Sequence, residues 1–232
     1  MRKEVIGAAT LYLGDCMEIM QALDDVGLVV TDPPYGIADA PNKHVDKAEG
    51  RRGPRGGKVN TWHAPSDWDK ELDPSWLPVA LRFGTVALFG QWRKRLAFEQ
   101  AAGMEPRAEV VWAKDMHVGA PCPAAPRDER IWIFSESGIK PLRFETSVWD
   151  EQVIPTWSHK EHKNEKPVKL MKRLVSWLPG DPVLDPFMGS GTTGVACLEV
   201  GRRFVGIEIN EQHFSVACRR VENAQRQEKL FA

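Results

Sequence analysis

The chain has 232 residues, enough for one α/β domain with a substantial core and too few for two full domains and a linker. With 42% hydrophobic and 27% charged residues, its composition excludes a fibrous, collagenous or disordered chain. The formal net charge of -1 argues neither for nor against a nucleic-acid partner, because a compact basic face can hide inside a neutral total.

The four cysteines, Cys16, Cys122, Cys197 and Cys218, are scattered without the spacing of a zinc site, so free thiols and no metal are expected. The start MRKEVIGAATLYLGDC has no long apolar run before a cleavage site, and no stretch approaches the length of a membrane span. The expectation is a soluble cytoplasmic protein of bacterial or phage type, with no membrane partner.

In chain order, ATLYL predicts a strand ending at Leu13, a turn at Gly14-Asp15, and a helix carrying Met17, Met20 and Leu23. The apolar run from Val26 to Thr31 predicts a buried parallel strand. It stops at Asp32-Pro33-Pro34-Tyr35-Gly36, where two prolines lack the amide donors a ladder needs. From Ile37 to about Asp69 the chain turns Gly-, Pro- and Arg/Lys-rich without periodicity, the pattern of a long, mobile, functional loop. Regular structure is predicted to resume with a helix near Pro74–Phe83, a strand at Val86–Phe89 and a helix from Gln91 to Ala102 closed by Gly103. Strands follow at Glu109–Ala113 and Arg130–Phe134, then an irregular stretch from Lys140 to Lys163. Leu170, Met171, Leu174, Val175 and Leu178 recur at helical spacing over Val168–Leu178. A strand at Pro182–Leu184, a glycine loop, a helix at Thr193–Glu199 stopped by Gly201, a strand at Phe204–Ile207 and a last amphipathic helix complete the chain. This alternation argues for a largely parallel sheet with helices on both faces.

Gly189-Ser190-Gly191-Thr192-Thr193-Gly194 is a GxGxxG pattern between a predicted strand and helix, with Glu208 ending the next strand. Glycines let backbone approach a ligand, the helix start offers amides, and the acid can accept from ribose hydroxyls. A dinucleotide would set its pyrophosphate there; S-adenosylmethionine would set its carboxylate there instead. Asp185, directly before the loop, would repel a pyrophosphate and attract an ammonium and a sulfonium, which favours the methionine cofactor.

The turn at Asp32 bears on the reaction. An amino group on a base is a poor nucleophile because its lone pair is delocalised into the ring. Asp32 and the rigid Pro33 carbonyl can accept its hydrogens as charge develops on nitrogen, and Tyr35 offers a face for stacking. The target base would have to leave the duplex to reach such a pocket. In isolation the same residues read equally as a strand-ending turn. In an open parallel sheet, however, Asp32 and Asp185 would end strands that line one crevice.

Together these segments resemble the amino-methyltransferases of DNA. Asp32-Pro33-Pro34-Tyr35 is similar to the catalytic motif of that family, and Asp185-Pro186-Phe187-Met188-Gly189-Ser190-Gly191 to its cofactor motif, in the permuted order of the beta class. His162-Lys163-Asn164-Glu165-Lys166-Pro167 resembles the Lys-Pro motif that contacts the methionine part, with Lys163 where a proline is common. Gly14-Asp15-Cys16 resembles the segment whose acid holds the cofactor adenine, and Arg130–Ser137 the strand and turn that close the catalytic sheet. The resemblance covers the chain except for Ile37–Asp69 and Lys140–His159. It implies a Rossmann-like S-adenosylmethionine-dependent methyltransferase fold: one catalytic domain over residues 1–232, with a seven-stranded, mostly parallel sheet and helices on both faces. It implies catalytic roles for Asp32, Pro33, Pro34 and Tyr35. Cofactor contacts are implied for Asp15, Cys16, Lys166, Pro167, Asp185, Phe187, Gly189, Ser190, Gly191, Thr192, Glu208 and Asn210, with Phe187 packing near the cofactor and Glu208 on its ribose.

The implied reaction is methylation of adenine N6 in double-stranded DNA, of the restriction-modification kind. Aspartate rather than serine at the head of the catalytic motif leans to adenine over cytosine N4. RNA or a protein amide is the more distant alternative. Cytosine C5 chemistry needs a cysteine nucleophile, and Cys122 lacks the expected neighbours. The target-recognition segment, about residues 140–160, is short. Arg51, Arg52, Arg55 and Lys58 in the basic loop are therefore expected to contact phosphates, a solvated loop being the alternative. A homodimer is expected by the same analogy.

Overall fold

Strand and helix alternate through most of the chain, in a computed structural model that describes residues 1–36, 72–114, 127–153 and 165–231. The elements are β1 (Arg2–Ile6), β2 (Ala9–Leu13), α1 (Cys16–Gln21), β3 (Leu28–Thr31), α2 (Trp76–Leu81) and β4 (Thr85–Gly90). After a 3-10 turn at Trp92–Lys94 come α3 (Arg95–Ala102), β5 (Ala108–Ala113), β6 (Asp128–Phe134) and β7 (Val148–Trp149). The last elements are α4 (Val168–Trp177), β8 (Val183–Asp185), α5 (Thr192–Glu199), β9 (Phe204–Glu208) and α6 (Glu211–Phe231). The chain forms two compact units, Met1–Pro33 with Pro74–Ala232, and Pro34–Asp73. The first holds the sheet. Of the second, the described residues are Pro34–Gly36, Leu72 and Asp73.

Among the described residues the sheet has nine strands in the order β1-β2-β9-β8-β3-β4-β6-β5-β7. The run β2-β9-β8-β3-β4 is parallel throughout, so the carboxyl ends of five strands share one edge. β6 runs antiparallel between β4 and β5, and β1 folds back on β2 as a hairpin. The seven strands expected from the resemblance are the inner seven. The two additional strands are the edges, and both lack a sequence signal for physical reasons. β1 begins with three charged residues and is largely exposed, so it has no apolar face to betray it. β7 is two residues long, held by register to β5.

Chain order changes direction between β8 and β3. From β3 the path runs through α2 to β4, and from β8 through α5 to β9, in opposite directions along the sheet. Right-handed crossovers therefore put α2 and α5 on opposite faces. α2 packs with α1 and α3, and α5 packs with α4 and α6. The α4 periodicity is realised, with Leu170, Met171, Leu174 and Val175 buried, each worth roughly 1.5–3 kcal/mol. Val29, Val30, Leu88, Ile133 and Leu184 fill the sheet side of the core with no exposed surface.

Candidate functional site

Four acids stand at the carboxyl edge of the parallel run. Asp15 follows β2, Glu208 ends β9, Asp185 ends β8 and Asp32 follows β3, and β2, β9, β8 and β3 are consecutive neighbours. At about 4.8 Å between strands, three intervals spread these acids over about 14 Å. An open α/β sheet binds ligands where its strand order reverses, and that reversal lies between Asp185 and Asp32.

Asp185 is buried and organises the glycine loop. Its Oδ1 accepts from Thr31 Oγ1 at 2.7 Å and from the Phe187 amide at 3.1 Å, and its Oδ2 accepts from Thr193 Oγ1 at 2.6 Å. Burial pushes its pKa up to about 6, although the hydrogen bonds from Thr193, Thr31 and Phe187 pull the other way. The turn then needs two of its glycines. Gly191, the N-cap of α5, has a φ of +80°, a left-handed conformation that side chains resist. A Cβ on Gly194 would lie 2.7 Å from the Phe204 ring, so only glycine lets α5 sit this close to β9.

Glu208 holds the far side of the loop. Its Oε2 accepts from the Gly189 amide at 3.0 Å and its Oε1 from the Asn210 amide at 2.8 Å. Asn210 in turn caps α6, accepting from the amides of Gln212 and His213 at 2.9 and 3.1 Å. Asp15 caps α1 in the same way, through the amides of Met17 and Glu18, and Cys16 is the first residue of that helix. Phe187 meets Trp76 of α2 edge to face, with ring centroids 5.2 Å apart.

Sequence reasoning missed Arg220. From α6 its Nη1 donates to Ser190 O, Ser190 Oγ and Thr192 Oγ1 at 2.9, 2.7 and 3.1 Å, and its Nη2 pairs with Glu165. The hydroxyls of Ser190 and Thr192 are thus tied to α6. One arginine joins the glycine loop to the segment that carries Lys166 and Pro167. An arginine on an amphipathic helix gives no warning of this, because its partners are distant in sequence.

Asp32 is engaged by Lys166, whose Nζ lies 2.6 Å from Oδ2. Lys166 is 8% exposed, and Pro167 after it is the N-cap of α4. The same ammonium stands 3.3 Å from Glu129 Oε2 and 5.0 Å from the centroid of the Phe89 ring. Glu129 Oε1 accepts from Lys114 Nζ at 2.7 Å. Burial opposes the charge on Lys166, but Asp32 and Glu129 outweigh it and hold the ammonium above the usual lysine value. Burial likewise opposes ionisation of Glu129, and Lys166 and Lys114 hold its carboxyl below the usual range. Neither Glu129 nor Lys114 was expected from sequence. The available signal was position: Glu129 lies on β6 just before Ile131–Phe134, a stretch buried on both faces, an unusual place for an acid.

The other expected residues are dispersed. Pro34 and Tyr35 belong to the second unit, and Tyr35 is buried. Arg51, Arg52, Arg55 and Lys58 lie outside the described residues. Trp149 of β7 is a core residue. It is fully buried against Trp177, covered by the Arg173 guanidinium, and its Nε1 donates to Thr146 O. The cations of α4 each have an acidic partner: Lys169 pairs with Glu151, Lys172 with Glu199 and Arg173 with Glu145. Cys197 is buried, and burial pushes its thiol well up. Among the described residues no helix is long and apolar enough to cross a membrane.

Comparisons with known proteins bear on this arrangement. The chain is 46% identical over 68 residues to the DNA adenine methyltransferase YhdJ of Escherichia coli (strain K12), a match covering 28% of this chain and 23% of that protein. It superposes on the M1.HpyAVI-SAM complex with a TM-score of 0.61 at 23% identity, over 91% of this chain and 99% of that one. The PvuII DNA methyltransferase, described as cytosine-N4-specific, gives a TM-score of 0.63 at 15% identity, over 97% and 93% of the two chains. At these identities the two structures speak for the fold alone. A family profile described as DNA methylase matches residues 26–219, which take in both the Asp32 turn and the glycine loop. The chain belongs to the N6/N4 DNA methylase family.

Proposed function

We propose that the protein transfers a methyl group from S-adenosylmethionine to the exocyclic N6 of adenine in double-stranded DNA. The observation that carries this reading is the adjacency of β3 and β8, which sets the Asp32 carboxylate one strand from the Asp185 glycine loop. The family match supports a DNA substrate. The name of the E. coli relative supports adenine, and so does aspartate at the head of the turn. Cytosine N4 is the second reading, because PvuII shares the fold and both bases present the same amino group.

The residues present fit the cofactor. Space is open beside Gly189, where an added Cβ would meet nothing within 4 Å. Acids stand at the tips of β2, β9 and β8 for the cationic and hydroxyl groups. Asp15 would hold the adenine ring, Glu208 the ribose, Asp185 with the loop amides the methionine part, and Phe187 the wall beside it. Bound there, S-adenosylmethionine supplies an electrophilic methyl on a sulfonium. Asp32 Oδ and the Pro33 carbonyl accept the amino hydrogens and draw the nitrogen toward tetrahedral geometry. The cofactor would supply the methyl and keep the C–S pair on its sulfur, and Asp32 would take the proton given up by the amine and pass it to water. Tyr35 stacks on the extruded base. Phosphates are held by the basic segment with Arg51, Arg52, Arg55 and Lys58, and a homodimer compensates for the short 140–160 segment.

A labelled-methyl transfer assay on DNA, RNA and protein tests the substrate class, and nucleoside analysis of the product tests the base. Expected is N6-methyladenine in duplex DNA, abolished by Asp32→Ala. N4-methylcytosine would select the second reading, and transfer retained by Asp32→Ala would remove Asp32 from the chemistry.

A further inference from the structure

We propose that Glu129 is a positioning residue for methyl transfer, acting on Asp32 through Lys166, with Lys114 as its support. This rests on the reading of Asp32 as the acceptor of the amino hydrogens. The four side chains form one chain of alternating charge from the end of β5 to the end of β3: Lys114 to Glu129 at 2.7 Å, Glu129 to Lys166 at 3.3 Å, and Lys166 to Asp32 at 2.6 Å. It is partly shielded from water, with side-chain exposures of 17%, 15%, 10% and 25% in that order. Lys166 stands immediately before the N-cap of α4, where the helix dipole disfavours a cation. Two carboxylates are what keep it there charged. Its ammonium fixes one oxygen of Asp32, and so the direction in which the carboxylate can accept a hydrogen. A cation beside a nitrogen that is becoming positive would also oppose the reaction. Glu129 offsets that charge, and Lys114 keeps Glu129 ionised. Glu129 contacts Lys166 directly and Lys114 stands one contact further off, so Glu129 lowers the field that Lys166 imposes on the reacting amine while Lys166 orients Asp32.

The test is single-turnover methyl transfer to duplex DNA by the full chain, with cofactor and DNA affinities measured separately. Glu129→Gln keeps the shape and removes the charge. Its rate is expected to fall about tenfold or more, with both dissociation constants within about twofold of wild type. Glu129→Asp is expected to recover part of the rate. Glu129→Gln with Lys114→Met, which removes one charge of each sign, is expected to be no slower than Glu129→Gln alone, because Lys114 acts only through Glu129. That double variant and Glu129→Asp carry the test if Glu129→Gln does not fold. A wild-type rate in Glu129→Gln, or in the double variant in its place, overturns the proposal. A rate loss matched by an equal loss of DNA or cofactor affinity overturns it too. If the wild-type enzyme methylates no base, the reading of Asp32 fails and this proposal with it; an active wild type beside an unaffected variant sinks only the role of Glu129.

Discussion

Asp185 organises the glycine loop from within the core. Three donors orient its carboxylate, yet burial raises its pKa from 3.8 to about 6. The folded chain thus binds this proton more tightly than the unfolded chain. The stabilising contribution is fully present below about pH 4 and is lost as pH rises through 6. Asp185→Asn has no such titration. Its stability relative to wild type should improve by about 2 kcal/mol between pH 4 and pH 7, most of the shift at 1.36 kcal/mol per pKa unit. Denaturant unfolding at both pH values measures this, and a constant difference would mean that Asp185 is not strained by burial. Cys197 allows a simpler check at the same scale. Its buried, high-pKa thiol should resist alkylation in the native protein at pH 8 and react only after unfolding.

At the scale of elements, the glycine loop is held from two sides. Glu208 at the tip of β9 takes the Gly189 amide, and Arg220 from α6 takes three oxygens of Ser190 and Thr192. Removing the guanidinium leaves these acceptors and Glu165 without their donor. Arg220→Met should destabilise the protein by ~1–3 kcal/mol, the cost of an orphaned buried polar group. It should also speed amide hydrogen exchange in the Gly189–Thr193 segment and weaken S-adenosylmethionine binding. If exchange in that segment were unchanged, α6 would be a bystander to the loop. Gly194→Ala probes the α5–β9 contact, where a Cβ would meet the Phe204 ring at 2.7 Å. Overpacking of this kind costs typically 1–3 kcal/mol, read as a lower denaturation midpoint.

Over the whole molecule, charge is arranged against simple attraction of a polyanion. The edge that carries the candidate site is lined by Asp15, Glu208, Asp185 and Asp32, and the cations of α4 each have an acidic partner, Lys169 and Lys172 at the surface. With a net charge of -1, phosphate binding draws on local basic runs, and the Arg51–Lys58 segment has four basic residues in eight and no acid. Neutralising Arg51, Arg52 and Arg55 together should weaken DNA binding. It should also flatten the slope of log K against log salt by up to about 2.7, at ~0.9 per phosphate contact. An unchanged slope would take those arginines off the DNA.

The sequence alone determined most of the architecture, because the signals involved are local. Apolar runs, the 3.6-residue rhythm of α4, the prolines after Thr31 and the glycines before α5 each act within a few residues, and elements formed where they predicted them. The two motifs were legible for the same reason, since turn chemistry and cofactor chemistry demand particular residues at fixed spacing. The edge strands were not legible: β1 buries too little and β7 is too short to leave a period. Nor were the partners of the acids. That Lys166 pairs with Asp32, that Glu129 and Lys114 extend the chain, and that Arg220 holds the glycine loop were decided only by the tertiary structure. These contacts join residues separated by as many as 134 positions. Once the sheet has set which strands are neighbours, electrostatics selects the pairs, and no local pattern in the chain encodes that choice.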